Sequence, residues 1–321
     1  MSEKSPKRKF KLFDTQREGP GVLKNERKLG YDFYSYFVRL WRNLSKLMSV
    51  NLLYVVGNFP LFFALVAMTG RFNIASTSPT SPMFPVVHGA MLHSDSPAFL
   101  PLLALHGEQT EIAAFGTGAI ILIALSFLVI LTFGIVNAGC AYVLRNIVSG
   151  DPVYPWSDFW HAVKRNWKQG LIFGIIDALA IFILSFDIVY FWHATGTLIT
   201  NIMFYTTLVC CVLYFFMRYY IYIMMVTFDL SIFKLIKNAL IFSLLGFGRN
   251  ILALIGILLI GYINLMLFAY LPPLGIALPF IITIAIMCYT ASFVAYYKIK
   301  DIMIDPYYEK NPVTESEEVT E

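Results

Sequence analysis

The chain has 321 residues, 58% of them hydrophobic and only 14% charged, with a formal net charge of +4. A soluble domain is nearer half apolar and a quarter charged, so this composition excludes a water-soluble globular fold and makes lipid the solvent for most of the chain. In hydrocarbon each backbone N–H and C=O has to be paired within its own segment. The expected fold is therefore an all-α membrane protein built from spanning helices.

In chain order, residues 1–28 are strongly basic with little apolar content, which predicts a disordered arm attracted to anionic lipid at about 1 kcal/mol per Lys or Arg near the surface. They contain no apolar run followed by a small-residue cleavage site, so no signal peptide is expected. A membrane domain over 29–308 follows, and residues 309–321 form a short acidic tail. Apolar runs of roughly the 20 residues needed to cross about 30 Å predict six transmembrane helices, near 49–69, 115–144, 171–192, 201–227, 251–271 and 276–297. The last two are separated only by Leu271-Pro272-Pro273-Leu274-Gly275, which predicts a tight hairpin.

Lys and Arg gather on the cytoplasmic side of membrane proteins. With both termini inside, 23 of the 24 Lys and Arg residues fall on inner segments and Arg71 alone falls outside. The predicted topology is thus N-in/C-in. The one long outer loop, 70–114, holds His88, His93, His106, Asp95, Glu108 and Glu111, in spacings that match no metal-ligand pattern. No metal site is expected there. Its apolar stretches, Met83 to Leu92 and Ala98 to Leu105, are expected to form a partly ordered cap on the membrane face.

Each inner segment before an odd-numbered span is amphipathic and predicts an interfacial helix. The first sets Tyr34, Phe37, Trp41, Leu44 and Met48 apart from Arg39, Arg42 and Lys46. In the second, Trp156, Phe159, Val163 and Trp167 oppose His161, Lys164 and Lys168. The third sets Phe233, Ile236, Leu240 and Leu244 against Lys234, Lys237 and Asn238. Trp41, Trp156, Trp160, Trp167, Arg165 and Lys168 are the expected interfacial anchors. Asparagine recurs near each following span, at Asn51, Asn166 and Asn250. A threefold repeat of interfacial helix plus hairpin explains this pattern, and so does the ordinary enrichment of basic and aromatic residues at an inner interface.

Cys140, Cys210, Cys211 and Cys288 all lie inside apolar runs, as packing residues would. Charged groups within spans are costly, about 2.5–3.5 kcal/mol at a helix centre, and are functional candidates. Asp177 lies seven residues past Gly170, roughly 10 Å inward, and Arg218 on the next span is its natural counter-charge. Asp187, near the outer interface, is too far from Asp177 to form a dyad with it. Two readings of the pair stand: with Asn137 and Tyr219 it lines a polar binding site or pathway, or it is a buried pair that fixes helix packing. No phosphate loop, His-Glu-x-x-His helix or Gly-x-Ser-x-Gly elbow is present. Neither enzymatic activity, a cofactor nor nucleic-acid binding is expected.

The run from Phe133 to Leu171 contains a small-residue helix (Gly134, Ala138, Ala141), Tyr142-Val143-Leu144-Arg145, a Gly150-Asp151 turn, and Asp158-Phe159-Trp160-His161-Ala162-Val163-Lys164-Arg165-Asn166-Trp167-Lys168-Gln169. It resembles the YesL-type DUF624 membrane proteins of Gram-positive bacteria, and Asn51-Leu52-Leu53 with Phe59-Pro60 is similar to that family's first span and exit proline. The resemblance implies a multi-pass protein of the cell membrane. It also implies, by association with sugar uptake, an accessory or scaffold role beside a sugar transporter or membrane sensor. The family is usually shorter, and loop 70–114 looks like an insertion. The alternative is a permease for a small polar solute with a site near Asp177 and Arg218.

Overall fold

The computed structural model describes residues 30–93, 96–194 and 196–310; the basic arm, Asp95 and the acidic tail expected above lie outside them. The chain begins with α1 (Phe33–Arg42), α2 (Leu44–Gly57) and α3 (Leu61–Met68). The excursion that follows is β1 (Asn73–Pro79), α4 (Phe84–Met91), α5 (Phe99–His106) and β2 (Gln109–Phe115). Then come α6 (Thr117–Ser126), α7 (Val129–Ser149), α8 (Pro155–His193), α9 (Leu198–Thr227), α10 (Ile232–Leu245) and α11 (Phe247–Tyr270). The last long helix is α12 (Pro272–Leu278), a π-helical turn at Pro279–Thr283, and α13 (Ile284–Ile299). A second π turn (Lys300–Ile304) leads into α14 (Asp305–Lys310). Five helical stretches are long and apolar enough to cross a membrane, or six if the bent pair of α2 and α3 is counted as one span.

That pair corrects the first predicted span. Instead of one helix over 49–69, α2 and α3 meet at 69° across a short break. Pro60 disfavours helical geometry at Phe59, and Asn58 ends α2 by donating its amide to the Tyr54 carbonyl at 3.0 Å. A second correction concerns loop 70–114. It is an antiparallel ribbon, paired from Asn73↔Phe115 to Pro79↔Gln109, that carries α4 and α5 at its far end. The third lies at 155–192, where the expected interfacial helix and span are one helix of 39 residues. Nothing between Trp167 and Leu171 stops it, because Gly170 alone does not break a helix. The hairpin turn between the last two spans shrinks to Leu271, with α12 starting at Pro272, a position where proline's missing N–H costs nothing.

The three inner segments each leave large apolar side chains exposed, and on α1 an arginine is turned inward. On α1, Tyr34, Phe37 and Trp41 are exposed, whereas Ser35 and Arg39 are buried, with the Arg39 guanidinium 4.7 Å from the ring centre of Tyr31. On α10, Phe233, Leu240 and Leu244 are exposed, while Leu235, Ala239 and Phe242 are buried. On α8, Trp156, Trp160 and Trp167 face out and Phe159 and Ala162 face α7. This orientation suits helices whose apolar side rests on lipid.

Side-chain contacts bring the basic residues to one end of the bundle. Arg145 of α7 and Arg165 of α8 both donate to the Val226 carbonyl near the C-terminus of α9, at 3.5 and 2.6 Å. They thereby satisfy a carbonyl in the last turn and suit the negative end of its dipole. Lys300 sits 5.3 Å from the Tyr31 ring, and Arg249 lies 3.7 Å above Tyr297. Packing is tightest in the same half. From Tyr219 to Val226, α9 is buried on all sides, against Phe173, Leu235, Ala239, Ala253, Ala295 and Ile299. A second cluster joins α2, α7 and α13 through Leu47, Val50, Tyr54, Cys140, Val143, Leu144, Tyr289 and Phe293. In the other half, Leu198, Ile202 and Tyr205 of α9 and Leu258, Tyr262 and Leu265 of α11 are exposed.

Two local devices fix the helices that build the centre. The first joins α7 to α8, where a Cβ on Gly134 would fall on the Gly170 carbonyl oxygen and the Gly174 Cα. Gly170 and Gly174 form a small-x-x-x-small pair that lets two backbones touch. The second is Asn51, fully buried, which donates to the Pro279 carbonyl and accepts from the Ala285 N–H, both at 2.9 Å. It thus spans the π turn in the last long helix. Asn250, also fully buried, plays a related part for α11 by accepting from the Tyr220 hydroxyl at 2.7 Å and donating to the Ser243 carbonyl at 3.0 Å. Asn166 is half-buried and bonds only within its own helix, to Ala162, so the three asparagines do not share one role.

Replacing Gly174 with Leu is expected to force α7 and α8 apart. Overpacking typically costs about 1–3 kcal/mol, and backbone overlap puts this site at the upper end. Size-exclusion profiles in detergent should show loss of the monodisperse species for Gly174→Leu, and near-normal behaviour for Gly248→Ala, where an added Cβ meets open space.

Candidate functional site

Three residues past Gly174, α8 carries Asp177 into the contact with α9. Its side chain has no solvent exposure. One face of α9 supplies its partners, because residues four apart stack along a helix. Tyr214 donates its hydroxyl to one carboxylate oxygen at 2.7 Å, and Tyr222 donates to the other at 2.7 Å. Between them, Arg218 Nε lies 2.9 Å from the first oxygen and 3.1 Å from the second. Hydrogen bonds to a charged group are worth about 1.5–3 kcal/mol each. Three of them outweigh the roughly 2.5–3.5 kcal/mol of inserting a lone carboxylate.

The expected pair of Asp177 and Arg218 is therefore present, as the centre of a four-residue cluster. Tyr214 and Tyr222 were not foreseen. The signal for them was in the sequence, as tyrosines four residues either side of the one arginine in this span. Tyr219, expected to line the site beside the pair, is not among the hydrogen-bond partners of Asp177. Asp187 is half-buried further along α8 and makes no contact with the cluster.

Beside the cluster is a cavity of about 350 Å³, near the lower end of the roughly 300–1,000 Å³ of small-molecule sites. Five helices enclose it: Tyr54 comes from α2, Asn137 and Ala141 from α7, and Phe215, Arg218, Tyr219, Tyr222 and Ile223 from α9. Ile257 is contributed by α11, and Ile284, Met287, Cys288, Ala291 and Ser292 by α13. Three of the four predicted binding residues, Asn137, Arg218 and Tyr219, thus line one space. The fourth, Asp177, lies behind Arg218 and Tyr222 and holds both from the rear.

The polar atoms in this wall are specific. Asn137 donates its amide to the Phe133 carbonyl at 2.8 Å. Ser292 donates to the Cys288 carbonyl at 2.7 Å. The Tyr219 hydroxyl is buried with no hydrogen-bond partner among the described residues. Arg218 bonds to protein through Nε alone among them, and its guanidinium lies 5.5 Å from the Phe133 ring centre. Among the described residues the donors without a partner here are the Tyr219 hydroxyl and the terminal nitrogens of Arg218. Arg218 lies nine residues from the end of α9, about 13 Å deep, and the depth is measured from the level at which Arg145 and Arg165 meet Val226.

The other predicted positions sit apart from this site. Trp41, Trp156, Trp160 and Trp167 are outward-facing, Arg165 caps α9 as described, and Lys168 lies 5.6 Å from the Trp167 ring. In the ribbon excursion, His106 Nδ1 lies 2.9 Å from Ser81 Oγ, His93 Nδ1 lies 3.0 Å from the Gly89 carbonyl, and His88 stacks on Phe84. Among the described residues no three His, Cys, Asp or Glu side chains come together as a metal site. The four cysteines are all free thiols.

Residues 112–188 match a protein-family model described as "Protein of unknown function, DUF624". The matched segment holds α6, α7 and most of α8, and with them Gly134, Asn137, Gly170, Gly174 and Asp177. No curated protein and no solved structure matches the chain.

Breaking the pair should be costly and should show coupling. Asp177→Ala leaves the Arg218 charge without its partner, a change worth about 3–5 kcal/mol for a buried pair. Adding Arg218→Met to that variant should restore part of the lost thermal stability in detergent. A double variant no more stable than Asp177→Ala would mean that the two residues are not energetically linked.

Proposed function

We propose that this chain is a YesL-type permease of the cell membrane, with six spans and both termini in the cytoplasm, that carries a small polar solute of sugar-like chemistry. The observation that carries the reading is the cavity. A bundle made for packing alone would fill its centre with Phe and Leu, whereas this one puts Arg218, Asn137, Tyr219 and Ser292 around about 350 Å³ of space. Solute sites of repeat-built transporters lie near the bilayer midplane, and the depth of Arg218 agrees with that. The tightly packed stretch from Tyr219 to Val226 forms part of the cavity wall, through Tyr219, Tyr222 and Ile223, and continues past it toward the basic end.

The bent α2–α3 pair counts as the first span in this reading, and the 23 to 1 distribution of Lys and Arg supports the orientation. The Gram-positive origin and the link to carbohydrate uptake rest on the resemblance of the segment from Phe133 to Leu171. An accessory role beside a sugar transporter or membrane sensor has one observation in its favour. The first four turns of α8, with Trp156, Trp160 and Trp167 outward, project beyond the 171–192 span as a surface that a partner could grip. The cavity has no part in that role, which is why the permease reading is preferred. No catalytic step is proposed.

Cys288 tests it directly. With Cys210 and Cys211 replaced by Ala, an anionic, water-soluble methanethiosulfonate is expected to modify Cys288 in membranes, because a solute pathway is wetted. Cys140, which is fully buried, should remain unmodified. A Cys288 that stays unmodified in membranes while it reacts fully in the denatured protein would mean a sealed centre and would sink the permease reading.

A further inference from the structure

We infer that the solute carries a carboxylate, and that the two terminal nitrogens of Arg218 bind it. The inference rests on the solute-binding reading above and names the chemical class of that same site. A guanidinium has two edges that can hold an oxyanion, the Nε side and the fork made by the two Nη atoms. Asp177 occupies the first in an unusual way. Both of its oxygens converge on Nε, at 2.9 and 3.1 Å, and neither Nη has a hydrogen bond among the described residues. The protein has thus anchored the arginine by its inner nitrogen and kept the planar fork for something else.

The surroundings say what that is. Asp177 is outside the cavity wall and Arg218 is in it, so the anchored side faces helix α8 while the side chain borders the cavity. Asp177 does not exhaust the arginine's field, because the Tyr214 and Tyr222 hydroxyls share in stabilising that carboxylate, one at each oxygen. Neither Asp nor Glu is among the residues that line the cavity, so no like charge repels an incoming anion at contact range. Tyr219 lines the same wall, and its hydroxyl is buried without a partner among the described residues. Two parallel N–H groups in one plane match the two coplanar oxygens of a carboxylate, the geometry in which arginine outperforms lysine.

A lipid headgroup could also offer an oxyanion, but the depth argues against it. Arg218 lies about 13 Å below the end of α9, close to half of a hydrocarbon core about 30 Å thick, where headgroups do not reside. The wall residues Asn137 and Ser292 suit the hydroxyl groups of a polyhydroxylated acid, and Tyr54, Phe215 and Tyr219 provide flat apolar surface for the faces of its ring. A sugar acid of monosaccharide size combines these features.

The test uses a pair of probes that differ only in the group at issue. Glucuronate and glucose share a pyranose ring and differ by a carboxylate in place of a hydroxymethyl group. Binding of each, and of inorganic phosphate, to the full chain in detergent is read from thermal stabilisation and from protection of Cys288 against the methanethiosulfonate. Glucuronate is expected to stabilise and protect, with glucose and phosphate far weaker. Arg218→Lys keeps a cation for Asp177 but loses the fork, and should weaken glucuronate by about 10–100-fold, the equivalent of one or more hydrogen bonds to a charged group. Tyr219→Phe, which keeps the ring, should weaken it less and serves if the lysine variant does not fold. Equal effects of glucose and glucuronate would overturn the carboxylate assignment and leave the solute site standing. So would stronger protection by phosphate. A Cys288 that reacts freely but is protected by none of the three would also overturn the assignment, without touching the wetted cavity itself.

Discussion

A carboxylate with no solvent exposure, in a bundle this apolar, has to have every lone pair answered before the helices around it can settle. Asp177 meets that demand with donors from a single helix, and much else follows. Because Tyr214, Arg218 and Tyr222 stand on one stripe of α9, satisfying Asp177 fixes the rotation of α9 against α8 as well as its height. The same rotation turns Phe215 and Tyr219 toward α7, α11 and α13, which is how the cavity comes to have an aromatic wall. The carboxylate can reach that stripe only because α8 lies unusually close to α7 through Gly134, Gly170 and Gly174, with Asp177 one helical turn beyond. Packing and polarity are therefore one arrangement here: glycine sets the distance between helices, and the buried charge sets their phase.

The sequence revealed this arrangement unevenly, for physical reasons. The spans were legible because lipid imposes a length on apolar runs, and Asp177 and Arg218 stood out because charge inside such runs is expensive. Asn137 and Tyr219 were found by proximity to them and do line the same cavity. The bend at Pro60 was visible as a residue but not as an angle, since a run of apolar side chains looks the same whether it is straight or folded at 69°. The ribbon at 73–79 and 109–115 was missed because its strands are exposed nearly throughout and lack the apolar alternation that marks a half-buried sheet. The boundary placed between Trp167 and Leu171 followed polarity, whereas the helix obeyed its hydrogen bonds and ran on.

The stripes of α1, α8 and α10 make the same point from another side. A pattern of apolar and basic residues at helical spacing suggests which residues share a face, and on α8 it misleads, since Phe159 and Val163 pack on α7 while Trp156 and Trp167 face out. It does not say which face looks inward. At a membrane interface the apolar solvent is outside, so Tyr34 and Trp41 turn out and Arg39 turns in, onto the ring of Tyr31. Arg39 packs on an aromatic ring on the inner side of α1, whereas Lys164 and Lys168 of α8 and Lys234 and Lys237 of α10 stay exposed and those helices dock through apolar residues. The three Trp residues of α8 obey the same logic, with Phe159 and Ala162 as the true contacts to α7.

The asparagine that spans the π turn gives the last helix a property its neighbours lack. A π turn holds one residue more than an α-helical turn, and such a surplus residue can in principle sit at any point along the rod. Each step it takes would rotate the residues it passes by about 100°. Asn51 grips the chain on both sides of the surplus, at Pro279 and Ala285, and so pins it in place from a different helix. The wall formed by Ile284, Met287, Cys288 and Ala291 owes its identity to that grip. One amide group on α2 thus acts as the index mark of a dial, deciding which side chains of a distant helix are presented to the centre of the molecule.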